Sequence, residues 1–323
     1  MRRHILLQAF LITMLGLLTG QPVLAQSGVI KIIVGYPPGA TSDALARVLA
    51  DAMAKRLDQA VIVENKAGAG GMIGNQAVKA AIPDGTTLLM TPVATMSIFP
   101  HSYADRIGYD PFKDFAPVAH LSNFQVGLGV GNQVPARTLK EYVAWVKADP
   151  EKNGFYGSAA AGSLPHFFGV MFAKSAGITL QHVPYRGTAP SMQALAAGEI
   201  AALSTVAADI QSLVDANKAR LLAVAGESRS PKFPNVPTFR EQGYDLVATP
   251  WYGLFTTAGA PPSTIQRLSK AIIEVIQDAD MQKRLLAMGV EPTGYGPEKL
   301  AAIMKEDYDR WGPPIRESGF KPE

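Results

Sequence analysis

The sequence has 323 residues, no cysteine, and a formal net charge of +3 from 30 basic and 27 acidic residues. The lack of cysteine excludes disulfides, thiolate metal ligands, a cysteine nucleophile and lipidation of an N-terminal cysteine. The basic residues are scattered and do not form the clusters typical of nucleic-acid binding, so we expect no nucleic-acid partner. A chain of this length is large for one hydrophobic core, which favours two lobes.

The N-terminus has the three parts of a secretory signal peptide. A short basic start precedes an apolar run over residues 5–18, and Val23 and Ala25 then occupy the −3 and −1 positions of a cleavage site. The run is too short to span a bilayer comfortably. We therefore expect residues 1–25 to be a signal peptide cleaved after Ala25, with the mature protein in the periplasm. The alternative is an uncleaved N-terminal anchor.

The mature part opens with strands and helices in alternation. The spacing of apolar residues predicts strands at 29–34, 60–64 and 87–90, a helix from about Asp43, and a second helix at 72–81. A β-α-β-α-β order of this kind is how an open parallel sheet begins. The sequence therefore predicts an α/β fold.

The pattern changes after Phe124, where a glycine-rich strand at 126–131 begins a second α/β series. This series is predicted to contain helices at 139–147, 166–175 and 191–197 and strands at 155–157, 179–183, 200–204 and 221–225. A proline-rich stretch then leads to a second crossing near Trp251, and the last predicted helices are 263–278, 280–288 and 297–311. Two crossings imply a hinge and a cleft, with a first lobe of 26–124 plus 248–323 and a second lobe of 125–247.

Glycine-rich loops lie where predicted strands lead into helices, the place where open α/β sheets bind ligands. In the first loop, Tyr36 precedes a turn in which Gly39 lets the backbone approach a ligand. The N–H groups of Ala40 and Thr41 are then positioned to meet an anion at a helix N-terminus. Asp43 has two interpretations, since it either satisfies free N–H groups of the first helical turn or contacts the ligand.

The second loop, residues 66–74, superficially resembles a dinucleotide fingerprint. Ile73 stands where that fingerprint needs glycine, and the loop follows a second strand instead of a first. We expect it to serve close packing of a helix on the sheet, and we expect no cofactor.

Two further loops of this kind lie in the second predicted lobe. The first contains Ser158, Ser163 and His166, and the second contains Gly187 and Thr188. Ser163 either caps the following helix or offers its hydroxyl to a carboxylate, and His166 either begins that helix or contacts the ligand. The flanking residues lack the Gly-x-Ser-x-Gly elbow, and the histidines and acids lack metal-ligand spacing. We therefore expect no enzyme and no metal, the alternative being a secreted α/β hydrolase using Ser158 or Ser163.

Taken in order, the motifs resemble those of the Bug family of periplasmic receptors for tripartite tricarboxylate transporters. The resemblance covers essentially the whole mature chain and rests on Tyr36-Pro37-Pro38-Gly39, Glu64-Asn65-Lys66, Pro83-Asp84-Gly85, Tyr109-Asp110-Pro111, Gly157-Ser158, Gly162-Ser163, Val183-Pro184-Tyr185-Arg186-Gly187 and Val236-Pro237-Thr238. It implies a type II periplasmic-binding-protein fold, with two lobes, a hinge and an interlobe cleft. It also implies a ligand carboxylate held by loop N–H groups and bound waters.

The resemblance also carries the expected function. It implies a receptor that captures a small carboxylate-containing metabolite and delivers it to membrane permease subunits. A competing hypothesis is that the receptor presents the ligand to a membrane sensor, and in either case we expect a monomer. Many family members carry an acid where this chain has Thr205, so we expect a dicarboxylate or an aromatic acid rather than an amino acid. The candidate ligand-binding residues are Tyr36, Gly39, Ala40, Thr41, Asp43, Ser158, Ser163, His166, Gly187, Thr188 and Thr205.

Overall fold

The computed structural model describes residues 28–322, so the predicted signal peptide lies outside the described residues. The strands are β1 (Ile30–Val34), β2 (Val61–Asn65), β3 (Thr87–Pro92), β4 (Phe115–Phe124), β5 (Val126–Gly131), β6 (Phe155–Ser158), β7 (Gln181–Pro184), β8 (Ala202–Val206), β9 (Ala219–Val224), β10 (Trp251–Thr257) and β11 (Val290–Tyr295). They form a six-stranded sheet of order β11-β4-β10-β3-β1-β2 and a five-stranded sheet of order β7-β6-β8-β5-β9. Each sheet is the centre of one lobe.

The helices cover the faces of both sheets. They are α1 (Thr41–Leu57), α2 (Met72–Lys79), α3 (Phe99–Ser102), α4 (Leu139–Ala148), α5 (Pro150–Asn153), α6 (Leu164–Ala176), α7 (Thr188–Ala197), α8 (Gln211–Asp215), α9 (Pro262–Gln277), α10 (Ala279–Ala287) and α11 (Pro297–Glu317), with a π-helical turn at Ala94–Ile98. Within the described part of the chain, none of these helices has the length and apolar character needed to cross a membrane.

The sheet of the first lobe begins with the predicted parallel strands and continues with three further strands that pair antiparallel. β1 pairs in parallel with both β2 and β3, whereas β10 pairs antiparallel with β3 and β4, and β11 antiparallel with β4. The sequence patterns did not predict β4, β10 or β11 as strands. β10 is buried along its whole length and therefore lacks the alternating pattern that marks a half-exposed strand.

The last helix also differs from its prediction, because α11 continues beyond the expected end at residue 311. It passes through Pro313 and Pro314 and ends at Glu317. Trp311 and Ile315 are buried on one side of this segment. Their packing outweighs the backbone hydrogen bonds that two prolines remove.

The chain crosses between the sheets twice. β4 ends at Phe124 in one sheet and β5 begins at Val126 in the other, so only Gln125 separates them. The return crossing lies between β9 and β10. The first sheet draws its strands from residues 30–124 and 251–295, and the second from residues 126–224. The lobe limits of 26–124 plus 248–323 and 125–247 stay our prediction.

The glycine-rich second loop brings α2 very close to the end of β1. A Cβ atom added to Gly74 would lie 2.7 Å from Gly35 Cα, and one added to Gly35 would lie 2.6 Å from the Gly71 carbonyl oxygen. Two backbones can approach this closely only where both residues are glycine. This is the helix-on-sheet packing that the sequence predicts for the loop, and it positions the neighbouring Tyr36.

Candidate functional site

Three helices begin at the cleft between the lobes. α1 begins just after Gly39, which has a φ of +96°; α6 follows Ser163; and α7 follows Gly187, which has a φ of +107°. The first N–H groups of each helix have no partner within the helix and carry the positive end of its dipole. Their convergence makes this part of the cleft favourable for a negatively charged group.

The inner cavity of the cleft lies at these helix starts and has a volume of about 70 Å³. Its polar lining is Tyr36, Ser42, Ser163, Thr188, Thr205, Asp209 and Tyr252. Burial raises the pKa of the Tyr36 and Tyr252 hydroxyls, so both remain neutral hydrogen-bond donors. This cavity is lined by no Lys, Arg or His from residues 28–322. Recognition of an anion here would therefore rely on N–H and O–H groups.

Two larger cavities flank the inner one. A cavity of about 500 Å³ shares Ala40, Thr188 and Asp209 with it, and a cavity of about 730 Å³ shares Ala159 and Ala160. The three volumes form one groove that narrows in the middle. Binding sites for small molecules are usually about 300–1,000 Å³. A ligand at the narrow part would therefore extend into a flanking cavity or require the lobes to separate.

Direct hydrogen bonds hold the two lobes together. Thr41 N and Oγ1 of the first lobe donate to Asp209 Oδ1 of the second at 3.0 and 2.5 Å. Tyr103 Oη donates to the Ala161 carbonyl oxygen at 2.9 Å, and Lys232 Nζ donates to the Ala287 carbonyl oxygen at 2.6 Å. These bonds define a closed conformation, which hinge opening would have to break.

Asp43 stabilises its own loop and does not line any of these three cavities. Its carboxylate accepts hydrogen bonds from Gly39 N at 3.1 Å, from Asn65 Nδ2 at 2.9 Å, and from Arg47 Nε and Nη2 at 3.1 and 2.9 Å. Burial acts to raise the pKa of Asp43, but the hydrogen bonds from Arg47, Asn65 and Gly39 outweigh it and hold that pKa below its usual value. Of the two interpretations from sequence, this geometry favours the structural one.

Ser158 and His166 also lie outside the cavity walls. Ser158 Oγ donates to the Ala160 carbonyl oxygen at 3.0 Å and lies 2.8 Å from His182 Nε2. His166 Nδ1 accepts from Gly162 N at 3.0 Å, and its ring stacks on His182 with centroids 3.9 Å apart. A serine beside a histidine is the pairing a hydrolase needs, but Ser158 is fully buried, so no substrate reaches it.

The other predicted residues do line the groove. Tyr36, Ala40, Ser163, Thr188 and Thr205 line the inner cavity. Gly39 and Thr41 line the cavity of about 500 Å³, and Gly187 lines that of about 730 Å³. The Ser163 hydroxyl donates to the Ala160 carbonyl oxygen at 2.7 Å, which leaves its oxygen lone pairs as the free groups.

Three groups of the inner cavity, Ser42, Asp209 and Tyr252, were absent from the sequence-based set. Asp209 is the most consequential, because its carboxylate occupies the anion position at the N-terminus of α1. It lies three residues after β8. The rule that ligand groups follow strand ends, applied to β8, would have identified it.

The two lobes, the double crossing and the groove of small polar groups define the class of protein as a periplasmic solute-binding protein. A family model described as the tripartite tricarboxylate transporter family receptor matches residues 45–320, and the chain belongs to this family. Protein BugT of Bordetella pertussis is 32% identical over 299 residues, which cover 90% of each chain. The family consists of binding receptors, so this chain is a receptor and not an enzyme.

Solved structures agree with this assignment. A Rhodopseudomonas palustris protein solved with adipate has a TM-score of 0.87 and 25% identity, covering 91% of this chain and 98% of its own. MatC of Rhodopseudomonas palustris, solved with bound malate, has a TM-score of 0.81 and 28% identity, covering 89% of this chain and 98% of its own. Both ligands named for these similar proteins are dicarboxylates.

Proposed function

We propose that this protein captures a small carboxylate-containing metabolite in the cleft and delivers it to the permease subunits of a membrane transporter. The observation that carries this proposal is that the N-termini of α6 and α7 meet that of α1, where Asp209 accepts from Thr41, at one cavity. The polar lining of this cavity includes the small hydroxyls of Ser163, Thr188 and Thr205. Several N–H and O–H groups acting together replace the water around a carboxylate without a buried arginine. The dicarboxylates bound by the two similar proteins support the ligand class.

Closure of the cleft couples ligand binding to delivery in this proposal. A ligand that contacts the α1 loop of the first lobe and the Ser163 and Thr188 loops of the second stabilises only the closed state. The closed surface is then what membrane subunits recognise. We further propose that residues 1–25 direct export and are removed after Ala25, and that the receptor acts as a monomer.

A thermal-shift screen against small organic acids tests the ligand class. A ligand at 100 times its Kd adds about 2.7 kcal/mol to the free energy of unfolding, which gives a clear shift of the melting temperature. The acid that emerges should saturate one-to-one in calorimetry and be recovered unchanged. If no carboxylate in a broad panel shifts the melting temperature, the proposed function is wrong.

Site variants test the position of the carboxylate. Ser163→Ala and Thr188→Val should each cost about 1–3 kcal/mol of binding free energy, provided that each hydroxyl turns from its present acceptor, the Ala160 carbonyl oxygen or Asp209, and donates to the ligand carboxylate. Thr205→Asp should weaken an acid further by like-charge repulsion. Ser175→Ala is the matched control, since this exposed serine lies near the other end of α6 and lines none of the three cavities. Unchanged affinity in all three site variants would place the carboxylate elsewhere.

Delivery to a transporter competes with a second candidate function, presentation of the ligand to a membrane sensor. Deletion of the gene distinguishes them. Loss of uptake of the radiolabelled acid supports delivery, whereas normal uptake with loss of the transcriptional response to the acid supports presentation.

A further inference from the structure

The carboxylate of Asp209 lies at the narrowest part of the groove. Its Oδ1 accepts from Thr41 N and Thr41 Oγ1, and its Oδ2 accepts a long bond of 3.4 Å from Thr188 Oγ1. Asp209 thus fills the anion position at the N-terminus of α1 with a side chain of the protein itself. A ligand carboxylate at that same position would have to displace it or lie against a second negative charge.

Asp209 lacks a cationic partner within the described chain. The ion pairs among residues 28–322 do not include it. Protein atoms surround it on nearly all sides, and it remains partly accessible through the groove. Burial raises the pKa of Asp209 above its usual value, although hydrogen bonds from Thr41 and Thr188 act to lower it. A carboxylate in such surroundings is stabilised by a nearby cation.

The free acceptor capacity of Asp209 is on Oδ2. A carboxylate has about four lone-pair positions, and Oδ2 uses only one of its two for the long bond from Thr188. Asp209 lines both the inner cavity and the cavity of about 500 Å³. A ligand group in either cavity can therefore approach Oδ2 without disturbing the bonds from Thr41.

The charge of the groove changes along its length. The cavity of about 500 Å³ is lined by Asp209 and the exposed Asp215, and of the described residues no Lys, Arg or His contributes to its wall. The cavity of about 730 Å³ on the other side is lined by the exposed Arg106 and Arg186. A ligand that carries a positive group beside one of its carboxylates matches this distribution better than a plain dianion does.

We propose, on the basis of the carboxylate-binding function above, that Asp209 is a specificity-determining residue that selects a ligand with a protonated amine near its carboxylate. The amine would donate to Asp209 Oδ2, and the carboxylate would lie against the helix starts near Ser163. This revises the expectation drawn from Thr205, which favoured a ligand without an amine. Asp209, four positions further along the chain, supplies the acid that Thr205 does not.

The test uses acids in matched pairs that differ by one amine: succinate with aspartate, glutarate with glutamate, and adipate with 2-aminoadipate. Calorimetry at pH 7 on the mature parent protein should show at least one pair in which the amine-bearing member binds about ten- to a hundredfold tighter, the value of a hydrogen bond between charged groups. Asp209→Asn should reduce this preference to about threefold or less, because the amide keeps an acceptor oxygen for Thr41 and loses the charge.

Asp51→Asn is the control, since it makes the same change at an exposed position of α1 that lines none of the three cavities, and it should keep the preference. Because Asp209→Asn removes a largely buried charge, its melting temperature should be equal to that of the parent protein or higher. This result would show that the variant is folded and has lost its ligand preference alone. If a plain acid binds as tightly as its amine analogue, or if the preference survives in Asp209→Asn, this inference is overturned and the proposed function remains. If no acid of either series binds, the inference is overturned, and the proposed function is decided by the broad panel of carboxylates.

Discussion

The contact between Gly74 and Gly35 gives the sharpest prediction about how the sequence positions the site. In Gly74→Ala the new Cβ would lie 2.7 Å from Gly35 Cα and 3.1 Å from Gly35 N. Both neighbours are backbone atoms, so no side-chain rotation relieves the overlap. The residue after Gly35 is Tyr36, a wall of the inner cavity. A shift of α2 against β1 therefore reaches the ligand site.

The size of the effect follows from the distances. Carbon atoms pack best at about 3.5–4.0 Å, so the helix and strand must separate by about 1 Å. Overpacking of this kind costs about 1–3 kcal/mol, from which the better helix propensity of alanine recovers at most about 1 kcal/mol. For a chain of this size each kcal/mol corresponds to about 2 °C in the melting temperature. We expect Gly74→Ala to melt a few degrees below the parent protein.

Thermal melts followed by circular dichroism measure this, with Gly28→Ala as the matched control. A Cβ on Gly28 meets no atom within 4 Å, so the control should melt with the parent protein. Calorimetry with the identified acid is the second readout, and it should show weaker binding for Gly74→Ala alone. If Gly74→Ala melts at or above the parent temperature, the close approach does not constrain the fold and the reasoning fails.

Three further predictions concern acid stability, a buried hydrogen bond and export. Burial lowers the pKa of His166 to about 4, and burial together with the charge of His166 lowers the pKa of His182 to about 3. Near pH 6.5 the unfolded chain therefore binds protons that the folded chain does not bind, so stability present above pH 6.5 should be lost as the pH falls toward 4. If the melting temperature of His166→Gln depends on pH as steeply as that of the parent protein, this explanation is wrong. Asp307→Ala should lower the free energy of unfolding by about 1–3 kcal/mol in denaturant titrations, because Trp251 Nε1 loses the acceptor oxygen that lies 2.7 Å away. Asp307→Asn keeps an acceptor oxygen and should lower the free energy of unfolding by less. Equal decreases in the two variants would refute the explanation. N-terminal sequencing of the exported protein should begin at or near Gln26, and an intact Met1 start would disprove cleavage.

Local patterns in the sequence determined a large part of this protein. The β-branched runs and apolar periodicities predicted the alternation of strands and helices, because side-chain spacing alone decides which face of an element is buried. The strand-loop-helix order predicted where the ligand loops lie, and the motif series identified the family. These features depend on neighbours a few residues apart, and such neighbours are visible in the sequence.

Only the tertiary structure decided which residues share the cavity. Asp43 and Asp209 are both acids near a helix start of the cleft, but Asp43 is held by Arg47 and Asn65, whereas Asp209 accepts its bonds from Thr41 of the other lobe. The antiparallel pairing of β10 with β3 and β4 likewise joins segments far apart in the chain. Such contacts arise when the chain crosses twice between the lobes. The free energy that selects them comes from packing and hydrogen bonds between residues far apart in the sequence, and no local pattern records these interactions.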